Sequence, residues 1–207
     1  MIRPTMSHDA SARPRGRPRE FDIDDALDKA IRVFRERGYH ATSIVDLAGA
    51  MELASGSLYK AFKDKRSIFL AAYDRYTATR AGQMQRVLAT GQPAVQRLRD
   101  LLRFYAESAQ GVEGRRGCLV VGSAVELAAY DPEVAARVNA TLKRNETVLA
   151  DLVRAGHADG SIARRVDAEA TARALLCLTQ GLRVVGKAGR SRADLVAAVD
   201  AVMRLVA

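Results

Sequence analysis

Apolar residues recur at three- and four-residue intervals along nearly the whole chain after residue 20. Ala26, Leu27, Ala30, Ile31 and Phe34 form the first stripe, the spacing of a helix that buries one face. Asp22, Asp24 and Asp25 stand at its start, where carboxylates suit the positive end of the helix dipole, and Gly38 stands where a helix closes. A first helix over 21–38 is predicted. Ile44, Leu47 and Ala48 make the next stripe. Thr42 and Ser43 precede it, and Asp46 follows Ser43 by three, a capping-box-like start. Met51-Glu52-Leu53 closes that helix and turns the chain. A second short helix places Leu58 and Phe62 inside and leaves Ser55, Ser57, Tyr59, Lys60 and Lys63 facing out.

Asp64 reads as the N-cap of a long helix that runs through Ile68, Phe69, Ala72, Tyr73 and Tyr76 towards Leu88, with a break at Gly91 and Pro93. A helix over about 93–110 turns Leu98, Leu101, Leu102 and Tyr105 inward. Residues 111–117 are expected to form a turn-rich loop, and 118–130, nearly all apolar or small, a buried central helix. Asp131-Pro132-Glu133 caps a long amphipathic helix ending near His157, and Asp159-Gly160 is a turn. Helices over 168–185 and 191–206 complete the chain. Their broad apolar faces are Leu175, Leu178, Leu182 and Val185 on one, and Leu195, Val199, Val202, Met203 and Val206 on the other. These faces serve either packing within the chain or a four-helix bundle between two copies. No strand alternation extends beyond a few residues, so the fold class is all-α.

With 207 residues and 48% hydrophobic composition, the chain holds enough for one large or two small packed domains. Lys and Arg number 33 against 24 Asp and Glu, and the resulting +9 favours a polyanionic partner, nucleic acid before membrane. No apolar run is long enough to cross a membrane, and the first twenty residues lack the apolar core of a signal peptide. Cys118 and Cys177 are far apart, with no Cys or His at zinc spacing, so no metal, no cofactor and no disulfide framework are expected. That usage agrees with a cytoplasmic protein. His8, His40 and His157 have no partners for a catalytic triad, and no enzymatic motif emerges.

Charge changes the reading most at the N-terminus. In PRGRPRE, residues 14–20, Pro14 and Pro18 keep the backbone extended and Gly16 removes bulk. Arg15 and Arg17 then project from a narrow ribbon that suits an A·T-rich minor groove, although a solvated basic tail satisfies the same pattern. The helix pair behind it, over 39–62, is itself either an ordinary scaffold or a reader of the major groove. Given the arm, the reader assigns Thr42, Tyr59 and Lys63 to phosphates, and Ser55, Ser57 and Lys60 to base edges. Thr42 serves equally as a helix cap.

GYHATSIVDLAGAMELASGSLYKAFKDKRSIF, residues 38–69, resembles the TetR/AcrR family of one-component bacterial transcription regulators. Gly38, Tyr39, Thr42, Ser43, Asp46, Leu47, Ala48, Gly56, Leu58, Tyr59 and Phe62 occupy the family's positions, and GCLVVGSAVELA at 117–128 resembles one branch of it. One departure stands out: Glu52 occupies a turn position where the family usually has Gly, at a cost of about 1 kcal/mol if φ is positive there.

The resemblance implies a basic arm at 1–16, a helix-turn-helix DNA-binding head at 17–77 and an effector-binding and dimerisation domain at 78–207. It further implies a homodimer that represses transcription from a palindromic operator and is released by a small-molecule effector. The long helix after the head would transmit the change. Two alternatives remain. Cys118 follows Arg115-Arg116-Gly117 and opens a helix, a setting that suits a redox or electrophile sensor, against the plain reading of a buried core residue. The arm and charge alone suit a non-specific architectural DNA binder. Cys177 is expected in the core.

Overall fold

The computed structural model describes residues 22–206, apart from the Ser55 side chain. The arm, with Arg15 and Arg17, lies outside the described residues, as does Phe21. Helices alone make up the regular structure of the described residues: α1 Ile23–Arg37, α2 Ile44–Met51, α3 Ser55–Ala61, α4 Lys65–Leu88, α5 Ala94–Glu107, α6 Gly111–Arg116, α7 Leu119–Glu126, α8 Pro132–Asp159, α9 Ala168–Lys187 and α10 Arg192–Val206.

Local chemistry sets the boundaries. The Asp22 carboxylate accepts from the amides of Asp24 and Asp25 at the start of α1. Ser43 and Asp46 form a reciprocal capping box on α2, and Asp64 and Ser67 form another on α4. These pairs satisfy helix-terminal donors that would otherwise go unpaired. At the end of α2, Glu52 adopts φ 57° and ψ 37°, the left-handed conformation that favours glycine. Asp131 caps α8, with Pro132 as its first residue.

Two cores result. Around the head, Leu27, Ile31, Phe34, Leu47, Leu58 and Phe62 pack with Phe69 and Tyr73 of α4, and the same cluster continues into Leu119, Val120, Val134 and Val138. Phe34 meets Phe69 edge-on at 5.2 Å, and Tyr39 meets the same ring at 5.1 Å. Head and remainder thus share buried surface. The second core joins Met84 to Leu98, Leu102, Leu149, Val153, Leu175, Leu182, Val199 and Met203.

Three expectations need correction. Residues 111–116 form α6 rather than a loop. Gly114 permits it: a β-carbon there would lie 2.2 Å from the Ala109 carbonyl, and one at Gly186 of α9 would lie 1.9 Å from the same oxygen. Only glycine on both sides lets α6 and α9 close on that carbonyl. The central helix is shorter than 118–130. It stops at Glu126 because the chain must turn into the Asp131-Pro132 cap, and Val125 and Tyr130 face out. Finally, of the two apolar faces on the last helices, Leu175, Leu182, Leu195, Val199, Met203 and Val206 pack within the chain, Leu178 and Val202 are half-buried, and Val185 is exposed. The outward faces of the last two helices carry a stripe of small residues, Ala170, Ala174, Cys177 and Gly181 on α9 and Ala193, Ala197 and Ala201 on α10, beside the exposed Val184, Val185 and Leu205. Cys177 is exposed on this stripe, not in the core.

Candidate nucleic-acid interface and internal cavity

The connection from α1 to α2 is pinned from inside. The Lys65 ammonium donates to the carbonyls of Tyr39 at 3.0 Å and Thr42 at 2.9 Å, and sits 4.2 Å from the centre of the Tyr39 ring. The Thr42 hydroxyl donates to the Gly38 carbonyl at 2.6 Å, and Thr42 is only 2% exposed. Thr42 is therefore neither the helix cap, which is Ser43, nor placed for a phosphate; its hydroxyl is spent on the fold. The Asp46 carboxyl is held down to about 2 by the Ser43 hydroxyl and amide, with Arg37 adding to the effect.

On α3 and just after it the residues face out. Tyr59 is 57% exposed, Lys60 and Lys63 are exposed, and Ser57 is half-buried. Neither lysine has an ion-pair partner among the described residues. Ser55 opens α3, and its side chain lies outside the described residues. Val45, exposed on α2, is an apolar surface residue that sequence reasoning passed over.

Polar latches fasten the head to the rest. The Glu126 carboxylate accepts from the Tyr39 amide at 2.8 Å. Arg35 donates to the Gly117 carbonyl at 2.8 Å and to the Glu113 carboxylate at 2.8 Å. Arg66, at the start of α4, bridges Asp131 and Glu133, and Asp131 is held down to about 2 chiefly by that guanidinium. The head cannot shift without disturbing α6, α7 or the start of α8.

Behind the head, two hollows meet at Cys118 and Arg183, which line both. One, of about 420 Å³, is an apolar groove between Phe34, Phe69, Leu119 and Val184, with Glu126 in its wall. The other, of about 40 Å³, lies between α4, α5, α8 and α9. Arg80, Arg144 and Arg183 line it together with Tyr76, Tyr105, Thr141, Asn145 and Gln180, and no carboxylate does. Burial pushes the phenols of Tyr76 and Tyr105 up, so both stay neutral donors. The Tyr76 hydroxyl donates to the Cys118 sulfur at 3.6 Å. Cys118 is half-buried at the start of α7, so part of its setting is as expected. Arg116, however, pairs with Glu36 and Glu113, and the cations that share the small cavity with the thiol are Arg80, Arg144 and Arg183. No group of His, Cys, Asp and Glu among the described residues is arranged to hold a metal.

Lys65, Glu126, Arg80 and Arg183 were missed in the sequence. A signal existed for Arg183: it continues the row Leu175, Thr179 at four-residue intervals, which places a cation on the buried side of α9. Lys65 and Glu126 carry no such mark, since each acts across many residues of sequence.

The model for bacterial regulatory proteins of the tetR family matches residues 26–72, and the model for a tetracyclin repressor-like C-terminal domain matches residues 94–202. The chain is 29% identical over 202 residues to the HTH-type transcriptional repressor ComR of Escherichia coli (strain K12), covering 97% of this chain and 96% of that one. It is 36% identical over 121 residues to the HTH-type transcriptional regulator YezE of Bacillus subtilis (strain 168), covering 58% of this chain and 62% of that one. Among solved structures it resembles the TetR family transcriptional regulator CifR, as a cysteine mutant complexed with 26 bp double-strand operator DNA. The identity is 33% and the TM-score 0.81, over 91% of this chain and 98% of that one.

Proposed function

The chain belongs to the TetR family of bacterial transcription regulators, and on that premise we propose how its residues bind an operator and let it go. It is a non-enzymatic DNA-binding repressor that works as a homodimer on a palindromic operator and answers to a small-molecule effector. One observation carries the DNA-binding reading. A helix pair pinned by Lys65 and the Ser43–Asp46 box presents Tyr59, Lys60 and Lys63 outward, with both lysines free of carboxylate partners among the described residues.

In this reading Lys60, Ser55 and Ser57 face base edges, and Lys60 donates to guanine O6 or N7. Tyr59 and Lys63 hold phosphates and set the register. Thr42 positions the helix pair from within. Arg15 and Arg17 enter the neighbouring minor groove. The small-residue faces of α9 and α10 meet their copies in the partner, because small residues let helices approach closely enough to form a bundle. We place the boundary of the head at 77, within α4, which makes α4 common property of head and regulatory domain. No described helix is long and apolar enough to cross a membrane, and we assign the protein to the cytoplasm.

Release follows from linkage. An effector that favours a conformation whose head spacing fits the operator badly lowers DNA affinity by its differential affinity for the two states. The cavity residues Tyr76 and Arg80 and the anchor at Lys65 sit on one helix, about 16 and about 22 Å along it from Lys65 at 1.5 Å per residue. Selecting bound fragments from genomic DNA and footprinting them tests the reading. Two protected half-sites, centred about 34–36 Å or a multiple apart, are expected. Fragments sharing no sequence element would point instead to an architectural binder.

A second reading keeps the same output and moves the trigger to Cys118, which is half-buried at the meeting point of both hollows. Oxidation or alkylation there adds bulk between α4 and α7. Cys118→Ser separates the two: it abolishes release by oxidants or electrophiles if the thiol is the trigger, and leaves reversible release untouched if it is not.

A further inference from the structure

The small cavity between α4, α5, α8 and α9 gathers positive charge that nothing in the described chain neutralises. Arg183 is 6% exposed, and its Nε has no hydrogen-bond partner. Its guanidinium lies 5.2 Å from the centre of the Tyr105 ring and reaches the Ser108 carbonyl only at 3.5 Å. A guanidinium offers five N–H donors, so most of its capacity is unused. Arg80, its neighbour, donates to Gln83 and to the Ser108 hydroxyl and rests on the Phe104 ring at 4.3 Å. Burial, and then Arg183 beside it, pulls the half-buried Arg80 guanidinium down to about 10. Arg144 stands exposed at the mouth and also lines an open vestibule of about 310 Å³ between α4 and α8. The one carboxylate in that vestibule, Asp74, is already paired with Arg137.

Burying an unpaired cation such as Arg183 is expensive, and a half-buried second cation beside it adds to the cost. Packing alone does not call for it, since methionine or leucine would fill the same space. The remaining walls include Met84, Phe104, Val120, Ala81 and Cys118, with Tyr76, Thr77, Tyr105, Thr141, Asn145 and Gln180 as neutral hydrogen-bonding groups. A volume of 40 Å³ admits about three water-sized groups, the size of a carboxylate.

We propose that the effector is an organic carboxylate, its anionic group seated between Arg80 and Arg183 and its body extending past Thr77 and Ala81 into the vestibule beside Arg144. This rests on the effector-responsive reading given above and names the chemistry of that site. The vestibule beside Arg144 supplies the way in. Pairing with Arg80 bears on α4, and pairing with Arg183 bears on α9, so one ligand ties the helix that holds the head to a helix of the dimer face.

The test uses the full-length protein and a panel of monocarboxylates from acetate to benzoate and octanoate, each against its uncharged amide, with inorganic phosphate and chloride at matched ionic strength. Thermal melting and calorimetric titration read binding, and anisotropy of a labelled operator fragment reads release. At least one carboxylate is expected to raise the melting temperature saturably by several degrees, with its amide binding at least tenfold more weakly. Arg183→Gln and Arg80→Gln, each first shown to melt cooperatively, are expected to weaken that carboxylate at least tenfold, while Arg183→Lys retains part of the affinity. Equal binding of acid and amide, a phosphate shift equal to the best carboxylate, undiminished affinity in both glutamine variants, or no saturable shift across the panel overturns the proposal. Two results separate it from the reading beneath it. Carboxylate binding without operator release keeps the anion site and removes its regulatory role. Operator binding with no carboxylate response keeps the regulator and removes the ligand class.

Discussion

Two groups of cations in this molecule live in opposite surroundings. Lys60 and Lys63 stand in water on the head, whereas Arg80 and Arg183 stand behind aromatic rings in the body. Neither group has a carboxylate partner among the described residues. For the lysines that state costs almost nothing, since water solvates an exposed ammonium and salt screens it beyond about 8–10 Å. For the arginines it is a standing penalty. An exposed unpaired cation is available to any polyanion, and specificity must come from the geometry of the helix pair. A buried one selects its own partner, because only a small anion that enters the cavity relieves the penalty.

The largest expected effect is on the exposed side. Lys60→Ala should weaken operator binding by about 1–3 kcal/mol and relax preference at one base pair, as read by anisotropy on operator variants. Lys63→Ala should weaken all sequences alike and reduce the slope of log affinity against log salt by about 0.9. Stability separates the two groups in the reverse sense. Arg183→Met should raise the unfolding free energy, read by urea denaturation, by about 1 kcal/mol or more, because it removes a buried uncompensated charge. Lys60→Met should leave it unchanged within about 0.5 kcal/mol. Should Arg183→Met destabilise instead, its contact with Tyr105 outweighs its burial, and the contrast fails.

Smaller effects probe the links between the two regions. Glu126→Ala leaves the Tyr39 amide without its acceptor and should cost about 1–2 kcal/mol in denaturation. Glu52→Gly should stabilise by up to about 1 kcal/mol, since φ 57° is strained for glutamate, and the exposed pair with Lys29 offsets little of that gain. Acid should act gradually. The Asp46 and Asp131 carboxyls both lie at about 2 in the folded chain, below their ordinary value of 3.8. Depressed carboxyls contribute stability that is complete above the unfolded value and is lost as pH falls towards the folded one. Denaturation midpoints should therefore decline between about pH 4 and 2, and Asp46→Asn with Asp131→Asn should flatten that decline.

The sequence was most readable where structure is local. Periodicity located α1–α5 and α8–α10 to within a few residues, and the reciprocal pair Ser43–Asp46 was visible three positions apart. Glu52 was suspect because one residue's φ decides its turn. Reading failed where the determinant is a distant backbone. α6 exists because Gly114 and Gly186 both give way to the Ala109 carbonyl, and these glycines are 72 positions apart in the chain. Periodicity also reports that a helix face is apolar, not what covers it. Leu182 and Val199 suit a subunit interface and an internal core equally well, and the stripe of Ala174, Cys177 and Gly181 is not legible as a face because small residues weigh little in hydrophobicity, which is also why Cys177 reads as core. At the interface itself, Tyr59, Lys60 and Lys63 were legible as exposed positions, and Thr42 was not legible as a buried one. The arginine cavity was invisible because four helices build it.

The most direct test of the account compares three labelled duplexes at one salt concentration: a selected palindromic operator, a single half-site and a scrambled duplex of equal length. Full-length homodimer should bind the palindrome at least about 10³-fold more tightly than the scrambled duplex, with the half-site well below the palindrome and one dimer or a whole number of dimers per operator. Equal affinity for all three would contradict a sequence-reading pair of heads and leave only a basic protein that coats DNA.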